Sequence, residues 1–162
     1  MRVLMVGAGG VGDAAARIAA ERSFFEQWVV ADYDLTRSER TVASVIERNP
    51  GDTRFRAARV DASDAGAVEA LAREVGATHV FNAVDPRFVL PIFEGARAAG
   101  ADYLDMAMHM SSRHPEQPYA KVGVKLGDDQ LAQAEQWEAD GRLADAERRA
   151  QTIIEEAKAR AT

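Results

Sequence analysis

Residues 1–34 read MRVLMVGAGGVGDAAARIAAERSFFEQWVVADYD, with four glycines between the first apolar run and the next: Gly7, Gly9, Gly10 and Gly12. Each glycine adds backbone entropy that folding must remove, so a chain that needed only a stable strand and a stable helix would avoid them. The run RVLMV before the glycines has the continuous apolar character of a strand that is buried on both faces. The run VGDAAARIAAER after them has the apolar spacing of a helix, which places the glycines in a strand-to-helix turn.

Strand-like and helix-like segments continue to alternate along the rest of the chain. The predicted strands that follow are 27–34, 54–61, 78–84 and 101–107, and the predicted helices between them are 36–49, 65–75 and 86–100. Either Ser63 or Asp64 is suited to cap the helix over 65–75. This order predicts an α/β fold, a Rossmann-like doubly wound parallel sheet of at least five strands with helices on both faces.

The charge and the missing cysteines exclude several classes of function. The chain has 162 residues, a net charge of −6 and no cysteine. The negative charge argues against a nucleic-acid partner, and the missing cysteines exclude disulfides and thiolate chemistry. The apolar run 3–12 behind Arg2 has the outline of a signal peptide, but Asp13 interrupts it and no window approaches the ~18 apolar residues of a membrane span. We therefore expect a cytoplasmic protein with no membrane partner.

Gly7, Gly9 and Gly12 match the pattern G-x-G-x-x-G. In a strand-to-helix turn the first glycine permits the tight turn, the second lets a diphosphate approach the backbone, and the third lets helix and strand pack closely. Such glycines also serve local geometry alone, or a different nucleotide-like ligand. Asp32 strengthens the dinucleotide interpretation, because it lies 20 residues after Gly12 at the end of the second strand, where a carboxylate accepts hydrogen bonds from the adenine ribose.

The expected cofactor is NAD, with NADP as the alternative. A carboxylate at Asp32 favours a free 2′-hydroxyl and repels a 2′-phosphate. Arg37 and Arg40 keep NADP open, because they follow closely enough to pair with a phosphate, although both also suit a solvated helix. Asp61 is placed to approach the adenine, or to compete with Asp64 as a helix-start residue.

The fourth predicted strand ends in FNAVDPRF. Ligands of open α/β sheets bind beyond the carboxyl ends of the strands, so we expect Asn82, Ala83 and Val84 to run beside the nicotinamide half of the cofactor. Pro86 prevents a simple continuation of the strand.

The segments VLMVGAGGVG, VADYD, VDASD, FNAVDPRFVLPIFEGARAAGADYLDMA and HPEQPY together resemble the N-terminal cofactor domain of the saccharopine dehydrogenase family, which includes lysine and carboxynorspermidine dehydrogenases. The resemblance covers residues 1–142. It implies an oxidoreductase that uses NAD or NADP at a C–N bond, on a small amino-acid or imine substrate. It also implies diphosphate contacts at Gly7, Gly9, Gly10, Val11 and Gly12, ribose contacts at Asp32, adenine contacts at Asp61, nicotinamide contacts at Asn82 and Ala83, and a substrate border at Asp105 and Met106 to His109.

The end of the chain departs from that family. Members continue into another strand and a large substrate domain, whereas residues 143–162 form a predicted helix with a narrow apolar stripe. We therefore predict a dinucleotide-binding domain over 1–142 and a substitute C-terminal helix over 143–162, in a truncated or engineered chain with little activity of its own. Two alternatives stay open: a small reductase completed across a homo-oligomer, and a non-catalytic scaffold that associates through the last helix.

The sequence assigns no catalytic residue. His79 precedes the fourth strand, at the wrong end of the sheet, whereas His109 and His114 follow the fifth strand on the ligand side. Either of those two suits general acid or base chemistry, but their spacing is a poor metal signature, and no metal site is expected. Lys121 and Lys125 suit a substrate carboxylate or a solvated surface.

Overall fold

The computed structural model describes residues 1–106, 112–125, 127–133, 138–139, 141, 148, 151–152 and 154. The chain divides into two compact units, Met1–His109 and Met110–Thr162, and each is described by itself. No helix within the described residues is long and apolar enough to cross a membrane.

The first unit is a five-stranded parallel sheet with helices between its strands. The strands are β1 (Arg2–Val6), β2 (Gln27–Asp32), β3 (Phe55–Arg59), β4 (His79–Asn82) and β5 (Asp102–Asp105), and the helices are α1 (Gly10–Ala20), α2 (Leu35–Arg48), α3 (Ala65–Glu74) and α4 (Val89–Ala99). The strand order is β3-β2-β1-β4-β5, and every neighbouring pair is parallel. The predicted Rossmann-like fold is confirmed.

The sheet has an apolar core on each face. Along β1, Val3 and Met5 point to the core that includes α1 and α2, whereas Leu4 and Val6 point to the core that includes α3 and α4. Successive residues of a strand face opposite sides, so a strand that is covered twice must be apolar throughout. This explains the unbroken apolar run before the glycines.

The elements begin and end within a few residues of the predicted positions. Two central strands are shorter than predicted, because β2 stops at Asp32 and β4 stops at Asn82, where the pairing with the neighbouring strands ends. The predicted helix over 86–100 starts instead with a 3₁₀ turn, Pro86–Phe88, before α4. Asp64 caps α3 by accepting hydrogen bonds from the N–H groups of Gly66 and Ala67, which leaves Ser63 outside the cap.

The second unit is described in part. It contains a short helix, α5 (Asp128–Leu131), and Ser112 and Val124 form an antiparallel bridge. The predicted helix over 143–162 lies mostly outside the described residues. Within this range the structure describes Arg148, 151–152 and Ile154, and all of them are helical. The division of the chain at residue 142 stays a prediction.

At the amino edge of the sheet, Arg54 ties the end of α1 to the start of β3. Its guanidinium donates to the carbonyls of Ala20 and Arg22, lies 4.4 Å from the ring centroid of Phe25, and donates to both carboxylate oxygens of Asp52 at 3.0 and 2.7 Å. The hydrogen bond from Arg54 is the largest cause that holds the pKa of Asp52 below its usual range. The ionised carboxylate is therefore favoured in the folded chain.

Asp52→Asn is expected to lower the free energy of unfolding by about 1 kcal/mol at pH 7, because the charged partner of Arg54 is lost. A lowered folded-state pKa stabilises the protein above the unfolded pKa of about 3.9, and this contribution disappears as the pH falls through the folded value. Urea unfolding should thus show a smaller difference in unfolding free energy between wild type and Asp52→Asn at pH 3 than at pH 7. Glu47→Gln, which changes an exposed carboxylate, is the control. A difference in unfolding free energy between wild type and Asp52→Asn that is equal at both pH values would contradict this account.

Candidate functional site

The order of the strands reverses between β1 and β4. The chain runs outward from β1 to β2 and β3, then returns to place β4 and β5 on the other side of β1. Connections on the two sides leave a crevice at the carboxyl ends of the central strands, where open α/β sheets bind ligands. Gly7 follows β1 and Ala83 follows β4 at this crevice.

Gly7 and Gly12 are required by the fold itself. Gly7 has φ +111°, and a Cβ built on it would lie 2.5 Å from Val84 Cγ1 and 2.7 Å from the carbonyl oxygen of Ala83. A Cβ on Gly12 would overlap the carbonyl oxygen of Gly7, because α1 packs directly against the turn. Both glycines therefore permit backbone contacts that no side chain allows.

Gly9 and Gly10 are not required by the fold. A Cβ on Gly9 would make an ordinary contact, 3.5 Å from Nη2 of Arg37, and a Cβ on Gly10 would meet nothing within 4 Å. Gly9 is the residue before α1, with φ −78°, and no side chain within the described residues caps this helix end. Val11, in the first turn, is 46% exposed. The turn thus presents uncovered backbone at a helix N-terminus, which carries about half a positive charge.

Asp32 links the glycine turn to the end of β2. Its side chain is buried, and Oδ2 accepts a hydrogen bond from the N–H of Ala8 at 2.8 Å, while Oδ1 accepts one from the N–H of Asp34 at 3.1 Å. An ionised carboxylate has about four acceptor positions, so two bonds leave it able to accept more. The carboxylate of Asp32 therefore stabilises the turn through the N–H of Ala8, and it can still accept further hydrogen bonds beside the turn.

Arg37 lies close to both Asp32 and Gly9. Its Nη1 lies 3.8 Å from Oδ1 of Asp32, and its side chain is 47% exposed. Arg40, one turn later on α2, is exposed. The structure brings Arg37 to the candidate site, with its charge offset by the nearby carboxylate.

The side chain of Asn82 faces the protein interior. It is fully buried, its Oδ1 accepts from the N–H of Val84 at 3.0 Å, and its Nδ2 donates to the hydroxyl of Tyr103 at 2.9 Å. Burial is the largest cause that raises the pKa of Tyr103, so this hydroxyl stays protonated. The amide of Asn82 therefore shapes the end of β4, and Ala83 with Val84 forms the surface beside Gly7. The partnership with Tyr103 was missed in the sequence, where no local pattern joins β4 to β5.

Asp61 lies in an exposed turn after β3. Its Oδ1 accepts from the N–H and the hydroxyl of Ser63 at 2.9 and 2.6 Å, and the hydroxyl bond is the largest cause that holds its pKa low. Because Asp64 caps α3, Asp61 is left as an ionised acceptor at the carboxyl edge. Of its two predicted roles, the helix cap is excluded and the adenine contact stays a prediction.

Residues 3–144 match the family model described as the saccharopine dehydrogenase NADP binding domain. The chain belongs to this family. It is a nicotinamide-dinucleotide-binding domain of the saccharopine dehydrogenase type, as the resemblance implied.

Two curated relatives and one solved structure illustrate the similarity. Carboxynorspermidine synthase of Vibrio alginolyticus is 29% identical over 126 residues, which are 74% of this chain and 30% of that protein. Carboxyaminopropylagmatine dehydrogenase of Synechocystis is 28% identical over 106 residues, which are 65% of this chain and 25% of that protein. The structure of saccharopine dehydrogenase (L-Glu forming) from Saccharomyces cerevisiae aligns with a TM-score of 0.53 and 18% identity, over 70% of this chain and 22% of that one. The chain thus spans less than a third of each of these proteins.

Among the residues that the structure describes, none is assigned a catalytic role in this saccharopine dehydrogenase-type domain. His79 starts β4 at the amino edge, with Nδ1 2.8 Å from Oγ1 of Thr78, as expected for a residue at the wrong end of the sheet. His109 lies outside the described residues. His114, in the second unit, accepts hydrogen bonds from the N–H groups of Glu116 and Gln117, so its Nδ1 shapes a turn. Within the described residues no group of three acidic or histidine side chains is placed to hold a metal ion.

Proposed function

We propose that the turn between β1 and α1 binds the diphosphate of NAD(H), and that this chain prefers NAD(H) to NADP(H). The observation that carries the proposal is the contrast among the glycines. The fold needs Gly7 and Gly12, whereas a Cβ would make only an ordinary contact at Gly9 and would meet nothing within 4 Å at Gly10. Glycine at those two positions is explained by a ligand that approaches the backbone more closely than a side chain would allow.

The residues at the turn fit a diphosphate. The N–H groups of Gly10, Val11 and Gly12 lie in the first turn of α1, where a helix leaves its N–H groups without partners in the helix. A helix N-terminus of this kind is a ready site for phosphate, since the N–H groups point at the ligand and the helix dipole favours negative charge.

Asp32 supports NAD(H) over NADP(H). In this fold the carboxylate at the end of β2 accepts hydrogen bonds from the ribose hydroxyls, whereas a 2′-phosphate would bring a second negative charge beside it. The described residues place the cation of Arg37 nearby, but it lies 3.8 Å from Asp32 and shares its charge with that carboxylate. It would have to leave Asp32 to serve a phosphate, and Asp32 would then face the phosphate alone.

The bound nicotinamide would supply hydride transfer, and this chain's residues bind and orient the cofactor for it. Ala83 and Val84 border the crevice beside Gly7, where they would cover one side of the bound cofactor. Asp105 ends β5 directly beside Asn82, at the same edge of the sheet. Because the chain belongs to the saccharopine dehydrogenase family, we propose a reaction at a C–N bond of a small amino-acid or imine substrate near Asp105, carried out by a protein in which this domain supplies the cofactor.

The scaffold alternative explains less. A Rossmann-like scaffold that needs no ligand would retain Gly7 and Gly12 but gains nothing from Gly9, where Cβ meets only an ordinary contact. The helix over 143–162, on which the scaffold alternative depends, lies mostly outside the described residues.

Isothermal titration with NADH and NADPH tests both parts of the proposal. We expect NADH to bind at least about tenfold more tightly, which corresponds to about 1.4 kcal/mol of discrimination at Asp32. Equal or tighter binding of NADPH would overturn the preference and assign Arg37 to the 2′-phosphate. A folded chain that binds neither would overturn the proposed function.

A further inference from the structure

β5 is an edge strand, and in the part of the chain that the structure describes no strand pairs with its outer side. The N–H groups of Asp102 and Met106 donate to carbonyls within residues 78–82, at 2.9 and 3.4 Å. Backbone groups of successive residues in a strand point to opposite sides, so the N–H and C=O groups of Tyr103 and Asp105 point away from β4. The outer edge of β5 therefore presents two donors and two acceptors.

The two edge strands of the sheet expose side chains of different kinds. In β3, the exposed residues are Arg56 and Arg59. In β5, the exposed residue is Leu104, of which 63% is accessible. Charged side chains on an edge strand discourage pairing with another chain, whereas an apolar side chain leaves the edge open to it. Of the two edges, that of β5 suits pairing better.

One antiparallel register of β5 with a second β5 satisfies all of the outward backbone groups. Hydrogen-bonded residues of an antiparallel ladder exchange both of their N–H···O bonds, so outward-facing residues must stand opposite each other. With Tyr103 opposite Asp105 of the second copy, and Asp105 opposite its Tyr103, two such pairs form. A register that sets Tyr103 against Tyr103 leaves Asp105 opposite Ala101, whose N–H already donates to Ala96. A register that sets Asp105 against Asp105 joins two carboxylates.

The same register also matches the side chains. Leu104 lies opposite Leu104 of the second copy at the twofold axis, in a pair without hydrogen bonds, where side chains approach most closely. Asp102 lies opposite Met106, and Asp105 lies opposite Tyr103, so no carboxylate of β5 directly faces another. Because like charges directly opposite each other destabilise a ladder, charge favours the register that hydrogen bonding selects.

We propose that β5 is an interaction edge at which a second copy of this chain adds its own β5 antiparallel, so that two five-stranded sheets become continuous. Each copy contributes the same residues, as a twofold interface requires. A four-residue strand buries less than the ~800 Å² per partner of a standard interface, so we expect a weak dimer with a dissociation constant of about 10 µM to 1 mM. The pairing needs only the sheet and is independent of cofactor binding.

Sedimentation velocity of the whole chain, from about 1 µM to about 1 mM, measures its self-association. Wild type is expected to shift from monomer to dimer across this range. Leu104→Glu places two carboxylates opposite each other at the axis and is expected to raise the dissociation constant at least about tenfold. Ile18→Glu is the matched control, because Ile18 lies on α1 and is 59% exposed. It should dimerise like wild type.

Amide hydrogen exchange locates the pairing on the strand. From low to high concentration, the amide protons of Tyr103 and Asp105 are expected to become at least about tenfold more protected. Those of Asp102 and Met106 already bond within the sheet and should change much less.

A pair of variants at Asp105 separates backbone pairing from side-chain effects. Asp105→Pro removes an outward N–H without removing a bond to β4, a position at which an edge strand tolerates proline. It should dimerise at least about tenfold more weakly than Asp105→Ala, which keeps the N–H. Thermal unfolding shows which variants are folded, and if Leu104→Glu is not, the two Asp105 variants decide.

Three results would overturn the proposed pairing. The first is a wild-type chain that stays monomeric up to about 1 mM. The second is a dimer that Ile18→Glu weakens and Leu104→Glu does not, because the interface would then lie on α1. The third is a dimer in which the amide protons of Tyr103 and Asp105 gain no protection as the concentration rises. None of these results bears on the titration with NADH, which tests the proposed function separately.

Discussion

Gly12→Ala is expected to lower the free energy of unfolding by about 3 kcal/mol, whereas Gly9→Ala lowers it by no more than about 1 kcal/mol. The difference arises because a Cβ on Gly12 would overlap the carbonyl of Gly7, while a Cβ on Gly9 would lie 3.5 Å from the flexible end of Arg37. The two substitutions add the same methyl group, three residues apart in one turn.

For NADH binding we expect a large effect from Gly9→Ala, the substitution that costs less stability. Gly9→Ala is expected to weaken NADH by at least about tenfold, because its methyl group stands where the diphosphate must approach the backbone. Urea unfolding and isothermal titration of the same preparations give both quantities. If Gly9→Ala is folded and binds NADH like wild type, Gly9 is not the point of approach, and the assignment of the turn to the diphosphate is wrong.

Asp32→Asn is expected to weaken NADH by about tenfold or more and to narrow or reverse the preference over NADPH. A hydrogen bond to a charged acceptor contributes about 1.5–3 kcal/mol, and the amide removes the charge that opposes a 2′-phosphate. The amide also has one oxygen in place of two, so it cannot accept from both Ala8 and Asp34 as the carboxylate does. We therefore expect a loss of about 1 kcal/mol in the free energy of unfolding as well.

The neighbouring Asp34 provides the matched control. Its Oδ1 accepts from the N–H of Thr36 at the start of α2, a capping role that asparagine fills equally well. Asp34→Asn should thus bind NADH and NADPH like wild type. A similar shift in cofactor preference for Asp34→Asn and Asp32→Asn would show that overall charge, rather than the position of Asp32, sets the preference.

The fold was predictable because its signals are local. A continuous apolar run, a glycine turn and a helical apolar stripe are each visible in a short window, and their alternation indicates a parallel sheet. Where two neighbouring residues suit one role, as Ser63 and Asp64 do, the choice depends on backbone geometry that the sequence does not carry. The structure selects Asp64 and leaves Asp61 free of the cap.

The candidate site was predictable in outline, but the roles of some of its members were not. The motif predicts that Gly12 serves helix–strand packing and Gly9 the diphosphate, and the structure shows that a Cβ on Gly12 would overlap the carbonyl of Gly7 whereas one on Gly9 would make an ordinary contact. Asn82 was expected at the crevice because ligands of open α/β sheets bind beyond the carboxyl ends of the strands. Its partner Tyr103 lies on the next strand, a contact between distant parts of the chain that no spacing rule reveals.

The most direct test of the central claim is to follow the amide shifts of the isotopically labelled chain by NMR as NADH is added. We predict large shifts at Ala8, Gly9 and Gly10 in the turn, and none at Asp52 and Arg54 on the opposite edge of the sheet. The shifts should saturate with the affinity that isothermal titration gives. The account would be contradicted if the amide signals of the glycine turn did not shift at saturating NADH, or if no amide signal of the folded chain shifted at all.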